Sequence, residues 1–202
     1  MTATGGTKRV PRAVREQQML DVAVELFSVN GYRETSMDAI ASAAQISKPM
    51  LYLYYGSKED LFGACLSREM GRFIETVRAD IDMAAGAREL LRTTIGSVLR
   101  YIDANRASWI VLYTQATSSH AFAHTVREGR DRVIDLVARL LETGTRKPVP
   151  DSDFHLTAVA LVGAGEAVAT RVSAGDVDVD EAAGLLIDLF WTGLKGDPGA
   201  PG

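Results

Sequence analysis

Apolar residues recur at helical spacing along most of the chain. Met19, Ala23, Leu26 and Phe27 fall at i, i+4, i+7 and i+8, one stripe of a helix predicted over about residues 11–30. Pro11 suits its first turn, and Gly31 supplies the residue after its end that is free to take φ > 0. Thr35 and Asp38 have the spacing of a capping box, and Met37, Ile40, Ala41 and Ala44 line the short helix behind it. Ser47 precedes a helix of barely two turns, residues 48–55, which Gly56 breaks. Ser57 and Asp60 form a second capping box and open a longer helix to about residue 84.

The rest of the pattern predicts long amphipathic helices over about residues 87–104, 106–118, 121–143, 151–173 and 179–195. No run alternates as a half-buried strand does, and no Asn-Gly or Asp-Gly hairpin signal occurs. Residues 175–179 alternate Asp and Val but are short, acidic and Gly-led, so they read as a loop. The expectation is an all-α fold of about nine helices. Residues 1–56 would hold an arm and a three-helix domain, 57–195 a second helical domain, and 196–202 a Gly/Pro-rich tail.

Composition narrows the class. The chain has 202 residues, is 47% hydrophobic and 24% charged, and carries a net charge of −4. Its one cysteine, Cys65, excludes an intrachain disulfide and a cysteine-rich zinc site, and fits a reducing cytoplasm. No signal sequence and no uncharged run of about 18 apolar residues is read, so no membrane is expected. An acidic total argues against DNA until it is divided. Residues 1–58 hold seven basic and five acidic groups, and residues 1–15 hold four basic groups and no acid. The negative charge belongs to the remainder.

Residues 35–55 read as helix, tight turn, short helix, the helix-turn-helix pattern. The run Ala39-Ile40-Ala41, Ala44, Ile46-Ser47-Lys48, Leu51-Tyr52 and Tyr55-Gly56-Ser57-Lys58-Glu59-Asp60-Leu61-Phe62 resembles the DNA-binding domain of TetR/AcrR-type transcriptional repressors. Leu26-Phe27 and Gly31-Tyr32 ahead of it are similar too. Two positions depart from the family pattern. Gln45 stands where the turn usually has Gly, which would cost about 1 kcal/mol if φ > 0 is required. Tyr55 replaces a Phe, and its hydroxyl needs a partner or solvent.

The resemblance implies a homodimer on a palindromic double-stranded DNA operator. Thr35, Tyr52 and Lys58 would hold the DNA backbone, with Ser36 and Ser47 beside them at the helix starts. Lys48, Pro49, Met50 and Tyr54 would face base edges. Arg9 and Arg12 belong to a basic arm that could reach phosphates or the minor groove.

The second half carries Tyr101, Trp109, Tyr113, Gln115, Phe122 and Val126, candidates for an apolar effector pocket with a few polar groups. A lipid-like or aromatic effector suits that lining. The last two helices are apolar most of the way round, so they need burial on two sides. Leu161, Val162, Gly165, Val168, Leu186, Leu189 and Phe190 are the candidate dimer interface. No Gly-rich phosphate loop or Gly-x-Ser-x-Gly elbow occurs, so no enzyme, cofactor or metal is expected. His120 and His124 at i, i+4 read as surface or capping groups. A helical small-molecule carrier or enzyme without DNA binding is the alternative reading.

Overall fold

The computed structural model describes residues 11–79, 81, 87–116, 122–144 and 153–195. All regular structure among them is helical. The chain folds as two units, divided between Cys65 and Leu66.

The first unit holds α1 (Arg12–Glu34), α2 (Met37–Ala43), α3 (Lys48–Tyr55) and the start of α4 (Lys58–Ala79). Gly31 (φ 82°) interrupts α1, as its sequence position predicts. The cap of α2 differs from expectation. Ser36, not Thr35, is the N-cap, and its hydroxyl accepts from the Ala39 amide at 3.1 Å. Thr35 is turned inward, and its hydroxyl lies 2.7 Å from the Gly31 carbonyl and 3.1 Å from that of Leu26. Met37, two residues on, is buried as well, and the capping role falls to the exposed Ser36 between them.

The turn between α2 and α3 contains Gln45 at φ 55°, the only non-glycine at positive φ among the described residues. The strain anticipated for that position is therefore present. Ser47 caps α3 and Gly56 (φ 65°) ends it. Phe27, Ile40, Leu51, Leu61 and Phe62 are fully buried, and Phe62 meets Phe27 edge-on at 4.9 Å. This packing moves the boundary nine residues beyond position 56, because the first two turns of α4 complete the first core.

The second unit holds the rest of α4, α5 (Ala87–Ala104), α6 (Arg106–Trp109), α7 (Ala123–Gly144), α8 (Phe154–Ala174) and α9 (Val179–Lys195). Helix α5 packs on α8 and α9, and α8 also packs on α7. Beyond Trp109 the helix continues as a π-helix over Ile110–Gln115, where the sequence pattern predicts an ordinary α-helix. Asp153 caps α8, and Asp178 accepts from the amides of Asp180 and Glu181 at the start of α9. With Asp176 paired to Arg171 at 3.1 Å, the alternating aspartates have local structural partners. Helix α8 is long and apolar enough to cross a membrane by length and composition alone, although Glu166 and Arg171 interrupt its apolar run. It packs here on neighbouring helices and carries Glu166, which is paired with Arg130.

Candidate DNA-binding surface and effector site

The outer surface of α3 is set by which residues its core takes. Leu51 and Tyr55, at i and i+4, point inward. Ser47, Lys48, Pro49, Tyr52 and Leu53 are exposed, and Met50 and Tyr54 are half-buried. Leu53 is 79% exposed and was missed in the sequence, where a leucine between tyrosines reads as core. Pro49, Tyr52 and Leu53 at i, i+3 and i+4 form one apolar face, suited to thymine methyls. The Tyr55 hydroxyl lies 3.4 Å from the Glu16 carbonyl, so the added polar atom has a partner.

The cations have specific positions. Lys48 lies 2.9 Å from the Asp38 carboxylate on α2, a hydrogen bond that raises its pKa. Arg12 stacks over the Tyr54 ring at 5.1 Å, which ties the start of α1 to α3. Arg9 lies outside the described residues. Lys58 donates to the carbonyls of Tyr32, Arg33 and Thr35 at 2.9, 3.1 and 3.0 Å. Its three donors close the end of α1. Two expected backbone holders are thus committed elsewhere in this structure: Lys58 binds carbonyls, and the Thr35 hydroxyl is buried. Tyr52 on α3 and Ser36 at the start of α2 remain exposed.

In the second unit, four aromatic residues form a chain. Tyr101 lies 6.2 Å from Phe73, Phe73 lies 5.9 Å from Trp109, and Trp109 stacks on Tyr113 at 3.8 Å. Trp109 Nε1 donates to Thr170 at 3.4 Å. Burial and the nearby Glu166 hold the Tyr113 phenol above its ordinary pKa. Arg130 Nε reaches both oxygens of Glu166 at 2.9 and 3.0 Å. Phe122 is buried at the start of α7, and Gln115 and Val126 are half-buried.

A residue that sequence reading passed over dominates this region. Glu69 is completely buried, with Arg68 Nε at 2.7 Å and Arg72 Nη1 at 3.4 Å, both on Oε1. The signal was available. Phe62, Leu66, Glu69 and Phe73 share one helical stripe of α4, so a carboxylate occupies a core position. Burial and the charge of Glu69 push the Tyr101 phenol up to about 12.

The chain matches the model of the bacterial regulatory proteins of the tetR family over residues 19–65, and that of the tetracyclin repressor-like C-terminal domain over residues 87–193. A TetR-like transcriptional regulator from Rhodococcus sp. RHA1 is 54% identical, with a TM-score of 0.81 over 94% of this chain and all of that one. The protein belongs to the TetR family. It is a DNA-binding transcriptional regulator and not an enzyme. The transcriptional activator FasR of Mycolicibacterium smegmatis is 27% identical over 96% of this chain and 90% of its own length. FadR of Bacillus subtilis, solved in complex with stearoyl-CoA, shares the fold at 22% identity, with a TM-score of 0.72 over 88% of this chain and 98% of that one.

The expected dimer-interface residues divide. Leu189 is 59% exposed, and Leu161, Val162, Gly165, Val168 and Phe190 are half-buried. Leu186 is 2% exposed and belongs to the protomer's own core, which corrects its assignment. Its place on the open face is taken by Leu185, 63% exposed and one turn before Leu189. Leu156 on α8 adds a third exposed leucine. A Cβ at Gly165 would meet nothing within 4 Å among the described residues.

Proposed function

We propose that the protein is a dimeric repressor that binds a palindromic operator through α3 and is released by a small effector with a fatty-acyl chain. The exposed α3 surface, with Lys48, Pro49, Tyr52 and Leu53 projecting from a strained turn at Gln45, carries the DNA-reading part. Few of these side chains are polar, so DNA shape contributes to selectivity. Exposed Leu156, Leu185 and Leu189 support a two-fold interface of α8 and α9, which would set the two reading helices about 34–36 Å apart. Such a regulator works in the cytoplasm.

The aromatic chain from Tyr101 to Tyr113 supports an apolar effector. A Bacillus subtilis relative named a fatty acid metabolism regulator, 37% identical over 39% of this chain, and a fold neighbour holding stearoyl-CoA favour the fatty-acyl class. Helix α4 begins in the first unit and ends in the second, so it would carry the change in spacing. An effector shifts the dimer off DNA only by its differential affinity for the two states. A gel-shift with DNA upstream of the protein's own gene tests the binding. Retarded DNA, lost with Tyr52→Ala, supports it; no retention at low salt contradicts it.

A further inference from the structure

Buried polar atoms in folded proteins nearly always have hydrogen-bond partners. In the second unit three have none among the described residues: Glu69 Oε2, Tyr101 Oη and Thr94 Oγ1. Each is noteworthy on its own terms. The other Glu69 oxygen already takes both Arg68 and Arg72, so one lone-pair face of a fully buried carboxylate is open. Thr94 forgoes the bond to the carbonyl four residues back that its neighbour Thr93 makes at 2.9 Å. Thr94 and Tyr101, at i and i+7, share one face of α5. Glu69 and Phe73, at i and i+4, share one face of α4, and the Phe73 ring lies against Tyr101.

The open groups are complementary in kind. Glu69 Oε2 accepts only, and the Tyr101 hydroxyl donates. Resting on the effector reading above, we propose that Glu69 and Tyr101 anchor the head of the apolar effector, which is a neutral group bearing both an N–H or O–H donor and a carbonyl acceptor, such as an amide. The donor would go to Glu69 Oε2 and the acceptor to Tyr101 Oη. A free carboxylate would set lone pairs against lone pairs at Glu69. A cation is not called for, because two guanidiniums already flank that carboxylate.

Three probes with the same twelve-carbon acyl chain isolate the donor: dodecanamide, methyl dodecanoate and dodecanoate. Calorimetric titration of the full chain should give dodecanamide at least about tenfold tighter than the ester, which lacks the N–H. Tyr101→Phe should weaken dodecanamide and the ester alike, by about three- to tenfold, without lowering the melting temperature. Glu69→Gln should weaken dodecanamide alone. Because that variant removes the buried charge that Arg68 and Arg72 pair with, Tyr101→Phe keeps the test decisive if it does not fold. Ester or dodecanoate binding as tightly as the amide overturns the anchor and leaves the apolar effector standing. So does a Tyr101→Phe variant that binds every probe as the parent does. Failure of all three probes to bind overturns both readings.

Discussion

The Lys58 ammonium sits 4.6 Å from the centre of the Tyr32 ring while donating to the Tyr32 carbonyl at 2.9 Å, so one residue of α1 holds it twice. With the Arg33 and Thr35 carbonyls completing its shell, Lys58 fastens α4 to the end of α1. The orphan carbonyls of a helix end are otherwise costly when partly buried.

Lys58→Met should therefore act through stability. Loss of charge-assisted bonds to the carbonyls predicts about 1–3 kcal/mol of destabilisation, read by denaturant unfolding. Operator affinity should fall with an unchanged salt slope. A slope smaller by about 0.9, with unchanged stability, would make Lys58 a phosphate contact instead.

Asp38 holds Lys48 at the mouth of the reading helix, and both groups are well exposed. The pair must open if Lys48 is to reach a base or phosphate. Asp38→Asn should tighten operator binding in a fluorescence anisotropy titration and steepen its salt dependence, with little effect on melting. Weaker binding would show that the pair positions α3.

Gln45 keeps a left-handed turn at steric cost. Gln45→Gly should stabilise the protein by about 1 kcal/mol, seen as a higher melting temperature. A lower melting temperature would mean that the Gln45 side chain outweighs the strain.

The open leucines and the buried one separate assembly from folding. Leu185→Glu with Leu189→Glu should convert dimers to folded monomers in light scattering. Leu186→Ala should instead cost about 2–5 kcal/mol of protomer stability. A dimer that survives the double substitution places the interface elsewhere.

Local signals explain what could be read from the chain. Helices α3, α5 and α9 lie where the sequence pattern places them because Ser47, Gly56 and the breaks beside the other two act within a turn of their helix. The strain at Gln45 was legible for the same reason. Tertiary effects were not. Thr35 and Ser36 are both competent caps, and only core packing decides between them. The choice between Leu185 and Leu186 for the open face depends on a rotation of α9 set by α5. Glu69 lay in plain sight on an apolar stripe, but its role needed the knowledge that one of its oxygens is unpartnered. The π-helix over Ile110–Gln115 has no capping residue to announce it.

The central claim is effector-controlled binding of DNA by a dimer. It is tested most directly by anisotropy of a labelled fragment from upstream of the protein's own gene, titrated with the full chain and then with dodecanamide. The account predicts saturable binding at two protomers or a multiple of two, outcompeted only by the same sequence, and release as the acyl amide is added. Binding that ignores sequence, or a complex that persists with the effector bound, would contradict it.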